Sequence, residues 1–367
     1  ASYKILQEAG IDDADLIIAV TGSDELNLLC CTIATQVGNC AAIARVRTPE
    51  YSQEAKYLRD KLGLALIINP ELEAAIEMAH ILHLPSSLEV TNFAHGQAQL
   101  IKYEIPEGSI LDGTKLMDLG TRHHANILIG AVERDDEVTI PSGDFVLRKG
   151  DKLSFVGERR HTKEFFSHIG VNTHSVKNTL IIGGGKAAYY LAKQLISRGI
   201  KVKIIENSFE RCEELSILLP DAVIINGDGT EQALLKEEGI ETCQSFVPLT
   251  GIDEENIMLT LYAKQVSNAK VITKLNRITF TNVINSLDLG SVISPKYITS
   301  EAIIAYVRAK KNSMNCNIET LYHMYDSRVE AIEFFVSENS NVTDIPLRDL
   351  KLKKHLLICF INRNGKI

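Results

Sequence analysis

The chain has no tryptophan among its 367 residues, only 6% aromatic residues, and seven scattered cysteines without one C-x-x-C pair. That cysteine pattern speaks against a disulfide framework or a zinc site and fits reduced thiols in a cytosol. No apolar run approaches the roughly eighteen residues that a membrane-crossing helix needs. Basic residues are not in excess: the formal net charge is −8, which leaves no electrostatic footprint for nucleic acid. Nothing resembles a nucleophile elbow, an activated nucleophile or a paired-carboxylate site. What is present is 45% hydrophobic against 23% charged residues, the balance of a globular chain with ample core, and a length fitting two to four domains.

The chain also repeats itself. IAVTGSDELNLL (18–29) returns as VPLTGIDEENIM (247–258). Gly10 falls on Gly239, Thr21 on Thr250, Gly22 on Gly251, Asp24 on Asp253 and Asn27 on Asn256, all at one offset of 229 residues. A register held through an intervening helix and strand marks a tandem duplication. The first copy looks incomplete: at this offset Ala1 matches Thr230, so the stretch 178–229 has no upstream partner. The segment 125–157 is echoed only in its opening, by HLLICFINRNGKI (355–367), and the chain does not begin with Met. Trimming at both ends is the expectation.

Strand-like and helix-like segments alternate through the first block. ADLIIAV (14–20), AAIARV (41–46) and LALII (64–68) read as buried parallel strands. Helices are expected after Ser23 or Asp24 as far as Gly38, over 49–63 and over 70–84. From 97 to 157 short strands with turn signals such as RDDE and PSGD replace that pattern. The α/β alternation returns with NTLIIGGG and runs to about Lys310. VEAIEFFVSENSNVTDIPLRDL (329–350) then repeats AQLIKYEIPEGSILDGTKLMDL (98–119). The fold class expected is α/β, with tandem Rossmann-like parallel-sheet lobes, each followed by a small β-rich lobe. The domain borders expected are 1–85, 86–162, 163–312 and 313–367.

LIIGGGKAAYYLAKQL (180–195) is the chemical centre. It reads G-x-G-x-x-A, following an apolar strand and opening an amphipathic helix. Gly183 allows the tight turn, and the bare Gly185 lets a pyrophosphate approach backbone N–H groups at the helix start. With Gly184, Lys186 and Ala187 these residues form the expected phosphate-binding turn. Glu206 ends the next strand, twenty-three positions after Gly183. A carboxylate there accepts from ribose hydroxyls and repels a 2′-phosphate, which favours NAD(H) over NADP(H). Asn207 follows it. Asp228 and Gly229 lie in NGDGT (226–230) at the third strand end, where Asp228 either faces the adenosine or shapes a turn. Thr250 and Gly251 end the fourth strand, across the crevice from the glycine loop.

Other polar residues carry less. His80 and His83 share a helix face without a carboxylate or Cys cluster, so no metal site is expected there. His123 and His124 read as solvated. Arg45 and Arg47 flank Val46, with Lys274 in the place of Arg45 in the second copy, and suit a phosphate or an ion pair.

With these motifs placed, the chain resembles the TrkA family of Trk-type potassium-uptake regulatory proteins. The resemblance rests on IIGGGKAAYYLAKQL, on INGDGT with LLKEEGI, on LTGIDEEN and VTGSDELN, and on PSGDFVLRKGDKLSFVG, and it spans essentially the whole chain. It implies tandem RCK units, each a Rossmann lobe with a small β-rich C-lobe. It further implies a cytoplasmic, non-enzymatic regulator at the inner face of the membrane. Such a regulator binds NAD(H) or ATP/ADP, self-associates into dimers or a ring, and acts on a membrane-embedded potassium transporter subunit. The glycine loop and acidic strand end of a first unit are not in this chain, so its first nucleotide site is expected to be incomplete. An NAD-dependent oxidoreductase is the alternative. That reading needs a general acid or base beside the nicotinamide, and no convincing His, Lys or Tyr constellation follows either lobe.

Overall fold

A computed structural model describes residues 2–38, 40–84, 86–94, 97–122, 126–171, 174–277, 281–312, 317–325, 328–336, 340, 342–350, 352–353, 355–364 and 366–367. Contacts gather the chain into two compact units, 1–79 with 177–303 and 80–176 with 304–367.

The first unit begins with three short parallel strands, β1 (Leu16–Ala19), β2 (Ala41–Arg45) and β3 (Leu66–Ile68), in that spatial order. Between β1 and β2 runs the helix Asp24–Val37, whose first turn is capped by Ser23 Oγ accepting from Leu26 N at 3.1 Å. The single helix expected over 49–63 is two, Pro49–Gln53 and Ala55–Leu62. The break falls at Glu54, whose N–H turns back to Tyr51 O, three residues away, rather than four. Gly63, at φ +68°, ends the second piece in the left-handed region that favours glycine.

The second unit holds a five-stranded antiparallel sheet made from β4 (Glu89–Phe93), β5 (Ala98–Glu104), β6 (Leu128–Arg134), β7 (Glu137–Thr139) and β8 (Lys152–Glu158). Its order is β4-β5-β8-β6-β7. Asp135 and Asp136 both take positive φ between β6 and β7, as a two-residue hairpin turn demands. The helix Arg159–His168 lays Phe165 and Phe166 on Ile101, Tyr103 and Phe155, a core dense in edge-to-face rings. In the same unit the hairpin β15 (Asn317–Met324) and β16 (Val329–Phe335) packs Met324 and Tyr325 against Leu100, Ala131 and Val156. His83 bonds Arg159, and among the described residues no His/Cys/Asp/Glu group could hold a metal. His123 and His124 lie outside the described residues.

Back in the first unit, the second lobe carries six parallel strands. They are β9 (Asn178–Ile182), β10 (Lys201–Glu206), β11 (Val223–Asn226), β12 (Ser245–Pro248), β13 (Lys270–Lys274) and β14 (Ser291–Ile293). The order β11-β10-β9-β12-β13-β14 is the doubly wound one, reversing between β9 and β12. The strands of the first lobe correspond to its β12-β13-β14 half.

The duplicated T-G-x-D-E-x-N motif acts as a clasp. Asn256 is fully buried: its Oδ1 accepts from Thr250 N (3.0 Å) and Thr250 Oγ1 (2.9 Å), and its Nδ2 donates to Lys274 O (3.0 Å). Asp253 accepts from the N–H groups of Asn276 and Arg277, both at 2.8 Å. In the first lobe Asn27 does the same with Thr21 and Arg45 O, and Asp24 with Arg47 N and Thr48 N. One short motif thus ties each strand end to the end of the next strand, and the amide can be buried because every bond is met. Asn256→Ala should destabilise the chain by about 1–3 kcal/mol, since it orphans buried groups on two strands; urea unfolding monitored by circular dichroism measures this.

Candidate functional site

The run NTLII buries β9 at the sheet centre, and its end is held on both sides. Gly183 N donates to Ile205 O at 2.8 Å, and Leu249 N to Ile182 O at 2.7 Å. Gly183 has φ +93°, and a Cβ there would stand 3.1 Å from Leu249 O. Glycine is therefore required twice over, by conformation and by the close passage of the β12 end. The order of strands reverses at this point, and open α/β sheets form their ligand crevice at such a reversal.

Gly184 is as tightly enclosed: a Cβ would meet Leu215 Cδ1 at 2.5 Å and Glu206 Cγ at 3.1 Å. Gly185 differs, because a Cβ there meets nothing within 4 Å. It is the N-cap of the helix Lys186–Ile196 and offers no side chain to cap it. The first-turn N–H groups of that helix have no intrahelical partner, and the helix dipole places positive charge there. An open, glycine-bordered helix start is a cradle for an anion. Ala187 points its methyl inward, 6% exposed, so only its backbone is available to the crevice.

Glu206 carries its carboxylate to the same loop. Its Oε2 accepts from Gly184 N at 2.6 Å and its Oε1 from Ser208 N at 2.8 Å. A carboxylate has about four acceptor sites, so two remain for hydroxyl donors. Asn207 is held through its backbone: Asn226 Nδ2 donates to the carbonyls of Glu206 and Asn207, each at 3.1 Å. Asp228 shapes its own turn, its Oδ1 accepting from Thr230 N (2.8 Å) and Thr230 Oγ1 (2.7 Å), and these bonds hold its carboxyl below the usual range. Gly229 is a packing glycine, since a Cβ there would fall 2.2 Å from Ile182 Cγ2. Thr250 is committed to the clasp, whereas a Cβ on Gly251 meets nothing. Lys274 extends toward Leu249 O at 3.4 Å; burial pushes its ammonium pKa down, against Asp253 and Glu71, which raise it.

The contacts that run from this site to the first lobe escaped sequence reasoning. Lys186 Nζ donates to Thr48 Oγ1 of the first lobe at 3.2 Å. Tyr190, one turn further, donates to Arg47 O at 2.9 Å and accepts from Asn69 Nδ2 at 2.9 Å. Burial pushes the Tyr190 hydroxyl pKa up. Burial would raise Asp24 as well, but bonds from Thr48 and Arg47 and the nearby Lys186 ammonium outweigh it and lower its pKa. Arg47 pairs with Glu71 at 3.5 Å and Arg45 donates to Thr21 O at 2.7 Å, so both arginines serve the first lobe's own loops. Arg211, on the helix Phe209–Leu218, donates from Nε to Gly184 O at 2.7 Å.

Comparison with known proteins follows the same division. The TrkA-N domain family matches residues 1–70 and 179–295, and the TrkA-C domain family matches 100–170. The Trk system potassium uptake protein TrkA homolog 1 of Methanosarcina mazei is 32% identical over 371 residues, covering 99% of this chain and 81% of that protein. The chain belongs to the TrkA family. TrkA of Haemophilus influenzae is 29% identical across the whole chain and 80% of its own length. Among solved structures, the GsuK RCK domain aligns with a TM-score of 0.64 at 19% identity, over 86% of this chain and 68% of its own. The GsuK channel bound to NAD aligns at 0.63 and 19% identity, over 88% of this chain and 57% of that one. These likenesses establish the RCK fold for this TrkA family member. No helix among the described residues is long and apolar enough to cross a membrane.

The two outer glycines of the loop should respond differently to the same substitution. Gly183→Ala should cost about 1–3 kcal/mol for its left-handed backbone and tight contact, while Gly185→Ala should leave urea stability within about 0.5 kcal/mol. Equal losses at both positions would contradict the assignment of their roles.

Proposed function

We propose that the second α/β lobe binds NAD(H), with ATP or ADP competing for the same cleft, and that the bound nucleotide regulates a membrane-embedded potassium transporter subunit. The protein then acts without catalysis of its own, at the cytoplasmic face of the membrane, as dimers or a ring of lobes. Nucleic acid has no part in this. The domain order underlying the proposal is α/β, small, α/β, small, with borders near 85, 162 and 312.

The observation that carries the reading is the open, uncapped helix start at Gly185, set where the strand order reverses and beside Glu206. Its parts have separable tasks. The N–H groups of Lys186 and Ala187 receive the pyrophosphate oxygens, and Gly185 leaves room for them. Glu206 receives the ribose hydroxyls, Asn207 and Asp228 border the adenosine side, and Gly229 lets that loop close on β9. Thr250 and Gly251 face the loop from the other half of the sheet. Support comes from membership of a family whose relatives are named potassium uptake proteins and from a fold-level neighbour described as bound to NAD.

Regulation requires that one arrangement of the lobes bind nucleotide better than another; a differential of about 1–3 kcal/mol is typical. The helix Lys186–Ile196 supplies the route, because its first turn cradles phosphate while Lys186 and Tyr190 hold the first lobe. Calorimetric titration of the chain with NAD, NADH, ATP and ADP tests the site. Gly185→Val, which meets no protein atom but projects into the cradle, should abolish binding with an unchanged unfolding curve. Undiminished affinity in that variant would place the site elsewhere.

A further inference from the structure

We infer that the two small lobes dock through one face used twice, and that differences in side-chain size and charge at equivalent positions of that face make each lobe accept the unlike lobe and reject a second copy of itself. The inference concerns the small lobes alone and does not depend on the nucleotide reading.

The second small lobe repeats the first in its backbone. Phe93 pairs with Ala98 between β4 and β5, and Met324 with Val329 between β15 and β16. A positive φ follows each first strand, +51° at Ala94 and +53° at Tyr325. Arg134 pairs with Glu137 and Arg363 with Lys366, across turns that begin at φ +51° on Asp135 and on Asn364. These marks make Ala94 equivalent to Tyr325, Lys102 to Glu333, Gly130 to Cys359 and Glu133 to Asn362. The contacts between the two lobes obey the same equivalence. A Cβ on Gly130 would stand 3.5 Å from Cys359 Sγ, so two equivalent positions face each other there. The Glu333 carboxylate accepts from Ala94 N at 2.9 and 3.1 Å, and the equivalent Lys102 lays its ammonium over the Tyr325 ring at 4.5 Å. Arg328 Nη2 donates to Glu133 Oε1, and in the equivalent place Asn362 Nδ2 donates to Gln97 Oε1 at 3.3 Å.

Two identical faces so arranged would form an isologous pair, but these faces have diverged in opposite senses. Where the first carries Ala94, Gly130 and Ala131, the second carries Tyr325, Cys359 and Phe360. The large groups fill the space that the small ones leave. Phe360 reaches the Phe93 ring at 6.1 Å, and the Tyr325 hydroxyl meets Ser154 Oγ at 2.7 Å and donates to Lys152 O at 3.0 Å. A pair of second faces would set large against large, which strains a packed surface, and a pair of first faces would leave voids. Charge follows the same division. Glu133 is only 8% exposed and, besides Lys152 of its own lobe, is met by Arg328. In a pair of first faces Gln97 would stand in the place of that guanidinium, and in a pair of second faces Arg328 would meet the neutral Asn362. Contacts that fit one partner and misfit the alternative are what specificity consists of.

One variant of the full chain reads the competing arrangements together. Gly130→Cys sets a thiol against the native Cys359, and after mild oxidation peptide mapping distinguishes the unlike 130–359 disulfide from the like 130–130 and 359–359 disulfides between chains. The 130–359 link should dominate. Adding Arg328→Glu, which opposes Glu133 with a like charge, should lower its yield by roughly tenfold or more, the scale of a charged hydrogen bond lost. Like links should stay minor even then, because the freed faces do not match one another. Adding Glu133→Gln should restore most of the 130–359 yield; a guanidinium needed only for its packing would give no such rescue. If Gly130→Cys fails to fold by circular dichroism, hydrogen exchange at the Ala94 amide replaces it, since that N–H is bonded to Glu333 only while the lobes are docked; it should quicken roughly tenfold in Arg328→Glu and slow again with Glu133→Gln. Like disulfides in comparable yield, a 130–359 yield or Ala94 exchange indifferent to Arg328→Glu, or no rescue by Glu133→Gln would each overturn the inference.

Discussion

The packing of the helix Lys186–Ile196 constrains the two-lobed unit more than any other single feature. Its N-terminus opens at Gly185 without a cap, and Ala188, Leu191, Ala192 and Leu195 are buried. A further face carries Tyr190, whose hydroxyl meets Arg47 O and Asn69 Nδ2 of the first lobe. Buried polar contacts of this kind are costly when broken and exact partners when met. The helix therefore cannot shift under a ligand at one end without disturbing bonds to the other lobe. Arg198, just beyond its last turn, adds a bond to Ala79 O at 2.9 Å.

Duplication explains why such a helix has a well-defined surface to meet. Each lobe ends its strands with the same clasp, a buried asparagine bridging two strand ends and an aspartate accepting from the loop beyond. In the first lobe that clasp also fixes Arg47 and Thr48, the residues that receive Tyr190 and Lys186. A motif that holds strand ends in both copies thus also presents contact groups in the first.

Much of this was legible in the sequence. Short apolar runs between turn residues located the parallel strands, and the constant offset revealed the duplication, because both depend on local order along the chain. The glycine turn and Glu206 were legible for the same reason: strand, loop, helix and acid follow one another. The role of Asn27 and Asn256 was not, although their repetition at fixed spacing was the signal that could have exposed it. Tyr190 left no such trace, since its partners Asn69 and Arg47 lie 121 and 143 residues away. The break at Glu54 was hidden because the residues on either side suit one continuous helix. The two sheets' membership of one unit depends on tertiary contacts that periodicity does not encode.

Hydrogen exchange of the chain with and without saturating NADH tests directly whether a nucleotide at the second lobe is felt by the first. The account predicts protection at 183–188 together with altered exchange at 48–52 and 69–73, the latter change being lost in Tyr190→Phe. Protection at 183–188 with 48–52 and 69–73 unchanged would contradict it, because the helix would then bind nucleotide without passing anything on.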